Sequence, residues 1–273
     1  VQQLSPLALS LGLSLGVAGA AAAQDPPATT TTPATTATTE APAAPAAPVD
    51  PFAEPKQIIE NEANTVANLK KAIELYEKIL GDTTLDKGAR ADAYADVSRA
   101  YLRWGDLEQK NDAKIALYEK GVAAGKKGEA ENAKNANAIF WGTANMACVG
   151  RTRGVMNSLF MIGDLRKGMN RVLELNPNFH LARNTLSEID HAVPGIAGGS
   201  DDRAEKGYLE VMRRNPHVTA TMVLLAKFYK DKGDEEKAKE WAQKVLDEKK
   251  PWSYNDWAKF DKRDAKAVLK DLE

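Results

Sequence analysis

The chain has a single cysteine, Cys148, among 273 residues. One thiol builds neither a disulfide framework nor a cysteine-based zinc centre, so both are excluded in any compartment. Histidine is almost as scarce. His180, His191 and His217 lie in different segments without ligand-like spacing, which reads as helix-end or surface histidines and predicts no metal site. An excess of either charge sign is missing too: 37 Lys and Arg stand against 38 Asp and Glu, a net charge of -1. With no dense basic run, nucleic acid is not expected as a partner. Ser158, Cys148 and Thr143 have no activating base near them in sequence, and the carboxylates sit among lysines at helical spacing, as solvated faces do. The expectation is a protein that binds rather than catalyses, with no cofactor.

Strand-like alternation is also absent. From residue 56 onward the chain reads as helix after helix. Leu69, Ala72, Ile73, Tyr76, Ile79 and Leu80 recur at spacings of three and four, giving one apolar stripe, and Gly81 is placed to cap its C-terminus. Tyr94, Val97, Tyr101 and Leu102 form the next stripe, ending at Gly105, and Ile115, Tyr118 and Val122 the one after. Near the C-terminus Met222, Leu225, Ala226 and Tyr229 precede Gly233, then Ala238, Ala242, Val245 and Leu246 precede Pro251. That order of large, small and Tyr positions, a Gly turn and a small-residue helix closed by Pro resembles the tetratricopeptide repeat. Tyr94, Val97, Ser98, Tyr101 and Gly105 fit the same first-helix template, with a longer turn from Asp106 to Asp112. Pro177, Pro216 and Pro251 keep a period near the expected one of about 34 residues. The expected fold class is all-α: a tetratricopeptide-like stack of antiparallel helix pairs, an α-α superhelix with a degenerate central repeat and a C-terminal capping helix.

Two segments precede this body. Residues 4–23 are apolar, uncharged and end in Ala21-Ala22-Ala23, which predicts a signal peptide over 1–23 with cleavage after Ala23. A retained membrane anchor is the other reading of that run, and it would be the chain's one membrane contact. No cysteine follows, so the signal is not of the lipoprotein type. Residues 24–55 contain little but Ala, Thr and Pro, a composition that buries too little apolar surface to order itself. They are expected to be a disordered linker, with the helical domain over 56–273 and the protein exported to the periplasm.

Charge is missing most visibly between Asn135 and Gly163, where Arg151 and Arg153 are the charged residues in a chain that is 27% charged. Phe140, Trp141, Met146, Ala147, Cys148 and Val149 occupy the whole circumference of a helix, so other helices must surround it. It either fills a core or lines a cavity, and Asn145 within it needs a partner if buried. The two arginines either cap the carbonyls at the helix end or face a partly buried cavity. Gly195 to Ser200 is no phosphate loop, because no lysine follows and no strand precedes it. Ser200 is instead placed to N-cap the next helix, with Asp201 and Asp202 in its first turn. Trp252, Tyr254, Trp257 and Phe260 read as a cap on the helix stack. A partner-binding surface formed by Trp252, Tyr254 and Trp257 is the alternative.

Several of these residues together resemble the T component of tripartite ATP-independent periplasmic (TRAP) transporters. They are Ala138-Ile139-Phe140-Trp141 leading to Asn145, then Gly150-Arg151, then Leu173-Glu174-Leu175-Asn176-Pro177 with Phe179. Pro194 follows, with Gly198-Gly199-Ser200 opening a helix that bears Ala204 and Tyr208, and last Leu224-Leu225-Ala226-Lys227-Phe228-Tyr229. The likeness covers roughly residues 130 to 250. It departs from the family in lacking a lipoprotein signal and in carrying His180-Leu181-Ala182-Arg183-Asn184 where a Gly-rich stretch often follows the Asn-Pro. The resemblance implies a periplasmic, non-enzymatic helical protein that partners a solute-binding protein. It further implies an internal pocket for a hydrophobic acid, with Phe140, Trp141, Asn145 and Arg151 at or near it and Met156 from the same stretch beside them. A generic protein–protein adaptor in the periplasm is the alternative, and homo-oligomerisation is left open.

Overall fold

The computed structural model describes residues 50–61 and 65–273. The signal-peptide expectation for 1–23 and the linker expectation up to residue 49 lie outside the described residues. The body begins with α1 (Ala53–Asn61), inside the last positions assigned to the linker, followed by α2 (Val66–Leu80), α3 (Lys87–Leu107) and α4 (Asn111–Glu131). Then come α5 (Ala136–Arg153), α6 (Val155–Leu175), α7 (His180–Ala192), α8 (Asp201–Arg214), α9 (Thr219–Asp231) and α10 (Glu235–Asp247). The chain closes with a single turn α11 (Tyr254–Asp256), a π-helical segment Trp257–Asp261 and α12 (Lys262–Lys270). The described residues contain no strand.

Local signals account for the helix ends. Thr65 and Asp86 accept backbone N–H bonds from Asn68 and Ala89, at 3.2 and 3.0 Å, satisfying donors that the first turns of α2 and α3 leave open. Ser200 caps α8 through the N–H of Arg203 at 3.3 Å, with Asp201 and Asp202 in the first turn, as its spacing predicts. Gly81 is the C-cap of α2 but stays right-handed, its N–H bonded to the Glu77 and Lys78 carbonyls.

Two boundaries differ from the sequence reading. Gly105 does not stop α3, which continues to Leu107, and the link to α4 is short rather than long. The glycine is there for space, because a Cβ would lie 2.3 Å from the Tyr118 ring. The uncharged stretch is not one rod either. Gly154, at φ +105, breaks it into α5 and α6, in a backbone region that disfavours other residues.

Consecutive helices pack along the chain from α1 to α10, and the first helices of successive pairs also touch, α3 on α5 and α7 on α9. One apolar cluster joins α1 to α4, a second runs from α3 through α5 to α7, and two more bind α8, α9, α10 and α12. Each pair buries its apolar face only through its neighbours, as a helical repeat stack must. At the centre, small residues let the backbones meet. A Cβ on Gly125 of α4 would lie 2.5 Å from the Cα of Gly142 on α5, and Gly128 sits against Ala138. The central helix therefore keeps small positions that its sequence does not advertise. At the C-terminus, Ala265 and Val268 of α12 are buried against α9 and α10, and the Trp257 indole N–H donates to the Val245 carbonyl at 2.7 Å. The stack ends in the expected capping helix.

Candidate functional site: a polar belt along the first helices

Polar side chains buried in a helical stack need a reason, since desolvating them costs energy unless partners compensate. Here they collect on the first helices of the pairs and on α11 and the π segment after it. On α3, Arg99 and Arg103 are 2% and 3% exposed. Asp96 lies one turn before Arg99 and accepts a 2.6 Å hydrogen bond from the Tyr76 hydroxyl. Arg103 donates to the Ile59 carbonyl at the end of α1. The guanidinium of Arg99 stands 5.5 Å from the centre of the Trp141 ring on α5, within cation–π range. Burial pulls both guanidinium groups below their ordinary value, while the charges of Asp96, Glu60 and Asp256 oppose this. Burial likewise raises Asp96, against the Tyr76 hydrogen bond and Arg99.

The belt continues along α7 and α9. Asn184 donates to Thr221 Oγ1 at 2.9 Å. Thr219 donates to Asp261 at 2.6 Å, and Lys227 pairs with Asp264 at 3.0 Å, so α9 is tied to the π segment and α12 by polar contacts. Burial pushes the Asp261 carboxyl up to about 6 despite the Thr219 hydrogen bond. Glu188 is buried, and its carboxyl is held well above the usual range by desolvation, with Lys227 and Arg151 pulling the other way. Its Oε1 and the Oδ2 of buried Asp256 have no hydrogen-bond partner among the described residues. A buried carboxyl oxygen without a partner is costly to keep out of water.

The residues singled out from the sequence fall in three places. Phe140 and Trp141 pack edge to face at 4.9 Å, and Phe140 also meets Phe179 at 4.9 Å. Asn145, one turn on, is fully buried and donates from Nδ2 to the Ser98 and Trp141 carbonyls, both at 2.9 Å. Trp141 and Asn145 face α3, and Asn145 also meets Gly121 of α4, whereas Phe140 faces Phe179 before α7. Arg151 turns toward α3: its Nη2 lies 3.6 Å from Cys148 Sγ and 3.9 Å from Asp106, which also holds the Tyr118 hydroxyl at 2.8 Å. Arg153 pairs with Glu119 at 2.6 Å. Met156 is apart from them, 62% exposed on α6.

Of the C-terminal aromatics, Trp257 is half-buried in the cap, Tyr254 is exposed, and Trp252 is partly exposed with its ring 5.8 Å from His180. The histidines are helix-end and loop residues that join elements. His180 opens α7, where burial lowers it to about 4. His191 bridges Asp201 at 2.8 Å and Asp231 at 3.5 Å, and His217 lies 3.2 Å from Glu248. Burial pushes the Cys148 thiol up to about 12, against the pull of Arg151, which leaves it protonated and a poor nucleophile.

The belt residues Arg99, Arg103, Asn184, Glu188, Thr221 and Asp256 do not stand out in the sequence. Asp96, Arg99 and Arg103 share one helical face, which alone reads as a solvated stripe. It becomes an inner wall because α1 closes over it, with Asp256 of α11 near enough for its charge to act on both arginines.

With that geometry in place, the comparisons are brief. Residues 220–250, the α9–α10 pair, match the tetratricopeptide repeat family. No curated protein matches the chain. Among solved structures the chain is similar to "Crystal structure of MamA", at 17% identity and a TM-score of 0.42 over 67% of this chain and 89% of that one. So low a score carries no argument about function. The tetratricopeptide-like character rests on the repeat match and on the stack of helix pairs.

Proposed function

We propose that this chain is a non-enzymatic interaction protein, a tetratricopeptide-like scaffold that holds a protein partner. The observation that carries the reading is the belt: charged and amide groups kept out of water along successive first helices, with Glu188 Oε1 and Asp256 Oδ2 left unbonded. Stability alone favours apolar residues at such places, since well-packed replacements of buried ions are often neutral or better. Both oxygens are closed off from solvent, so a partner's polar group meets them only where docking parts the covering helices. The experiment replaces both, as Glu188→Leu and Asp256→Leu, and compares thermal stability with capture of a partner from periplasmic extract. The expected result is unchanged or higher stability with loss of one defined partner. Variants that lose stability and keep the partner would show the belt to be structural.

A finer version makes this chain the T-like component of a TRAP system. In it the protein is exported to the periplasm, and its partner is a secreted solute-binding protein from which it takes a hydrophobic acid. Its support is the run of resembling residues from Ala138 to Tyr229. Phe140 lies against Phe179 and Trp141 under Arg99, so the acid would enter between those side chains; the repeat match supports a protein partner in general, and the adaptor reading is preferred. Tryptophan fluorescence titrated with fatty and aromatic acids separates the two: saturable binding supports the transport role, and no response removes the pocket from it. Genes for TRAP membrane subunits beside this one would also support it.

A further inference from the structure

On the side of α3 away from Arg99 and Arg103, the helix forms the floor between α2 and α4, both of which pack against it. Tyr94, Tyr101 and Trp104 line that floor and are half-buried. The last two rings are stacked, 6.3 Å apart and 11° from parallel. Each ring has a lysine over it. Lys127 of α4 stands 5.7 Å from Tyr94, Lys120 of α4 stands 5.8 Å from Tyr101, and Lys70 of α2 stands 5.0 Å from Trp104. All three lysines are exposed, and among the described residues none makes an ion pair, whereas Lys227, Lys230 and Lys232 of α9 and its C-terminal turn all do. One end of the floor is closed by Arg90, which bonds Glu131 at 2.9 Å and the Leu80 carbonyl at 3.1 Å. At the other end Val66 and Leu107 are exposed.

We propose that this aromatic strip with its lysine rim is a docking surface for an acidic segment of a partner protein. The proposal deepens the scaffold reading and rests on it. Charge complementarity decides the occupant. Three ammonium groups, unpaired among the described residues, frame the rings; the charge of Glu77 reaches Tyr101, and Glu131 at the closed end is taken up by Arg90. From Tyr94 to Trp104 the strip runs about 15 Å along the helix, room for carboxylates of a short peptide to meet the lysines while its apolar side chains lie on the rings. The lysines are already pre-positioned by the aromatic faces, so binding orders little further side-chain freedom. Three isolated lysines on a chain of net charge -1 are too few to hold a polyphosphate strand through salt, which sets nucleic acid aside.

The test titrates the full chain with a labelled peptide of glutamate, alanine and leucine, and with its counterpart carrying lysine for glutamate. Fluorescence anisotropy reports binding, and Trp104 emission, assigned with a Trp104→Phe variant, reports the place. The acidic peptide is expected to bind with salt-sensitive affinity and to perturb Trp104. The combined Lys70→Glu, Lys120→Glu and Lys127→Glu variant should lose about tenfold or more in affinity and gain binding of the lysine peptide. Reversing the exposed Lys249, Lys250 and Lys259 instead should leave binding unchanged. Circular dichroism checks that the variants fold. Equal loss in both triple variants, no effect on Trp104, or binding of anionic phosphatidylglycerol vesicles in place of the peptide would overturn the proposal. Those outcomes leave the scaffold reading standing, since its own test varies Glu188 and Asp256 and keeps the lysines.

Discussion

At the α4–α5 crossing the helices touch through backbone, with Gly125 against Gly142 and Ala138 against Gly128. At the α9–α10 crossing they touch through side chains, and Ala226, Ala238, Ala242 and Val245 are fully buried there. The first contact depends on the absence of atoms and has no slack. The second is filled with ordinary apolar volume and is backed by α12, which Lys227–Asp264 and Lys230–Asp271 tie to α9. A crossing of the second kind tolerates modest change in volume. One of the first kind does not, because a backbone cannot step aside as a side chain can. The centre of the stack is therefore the more exacting region, although the repeat pattern is clearest at its end.

The largest expected effect is at Gly125. Gly125→Leu should cost more than about 4 kcal/mol or prevent folding, read by urea denaturation. Ala242→Gly at the other crossing should cost only about 1 to 2 kcal/mol. Equal costs would erase the contrast between the two regions. Next comes aromatic volume. Trp141→Ala should lose about 3 to 5 kcal/mol, while Trp257→Ala, which removes a half-buried ring and one hydrogen bond, should lose about 1 to 2 kcal/mol. A mild Trp141→Ala variant that loses binding of a small acid would instead revive the pocket. Asn145→Ala removes its side-chain hydrogen bonds to the Ser98 and Trp141 carbonyls, which keep their helical N–H partners, and should cost about 1 kcal/mol in the same assay.

His191 sharpens the comparison from the C-terminal side. Its imidazole is raised above 6.5, first by the Asp231 hydrogen bond, against burial, and also by Asp201. A raised folded value means that the stabilisation is complete below the unfolded value and is lost as pH rises through the folded one. The stability gap between the native chain and His191→Gln should be widest near about pH 5.5 and narrow by about pH 8.5. A gap that grows with pH would reverse the assignment. The smallest effect is expected from Lys227→Met, which breaks one partly exposed pair and should cost no more than about 1 kcal/mol, a difference that thermal melts at low and high salt can read.

The same contrast explains what could be read from sequence. The α9–α10 pair was legible because Tyr229, Gly233, Ala238 and Pro251 are a local pattern, complete within one repeat. The burial of α5 was legible because a helix without charge has no face to give to water. The glycines of α4 were not, since Gly121, Gly125 and Gly128 look like breaks in a helix until the facing residues Asn145, Gly142 and Ala138 are known. Gly105 misled for the same reason. The polar belt was hidden more deeply. Arg99, Arg103 and Glu188 have the spacing of solvated residues, and only long-range packing, by α1 on α3 and by α9 on α7, turns them inward. Trp141 and Asn145 were found in sequence as one group, yet the structure gives them to a packed helix crossing and leaves Met156 on the surface.

Cys148 has a practical consequence. The chain's single thiol is buried and stays protonated at neutral pH, while thiol-directed dyes react with accessible thiolate. A cysteine placed at exposed Ala123, between Lys120 and Lys127 on α4, would therefore take up label without first removing the native one. A dye there would report on the lysine-rimmed surface in an otherwise unaltered protein.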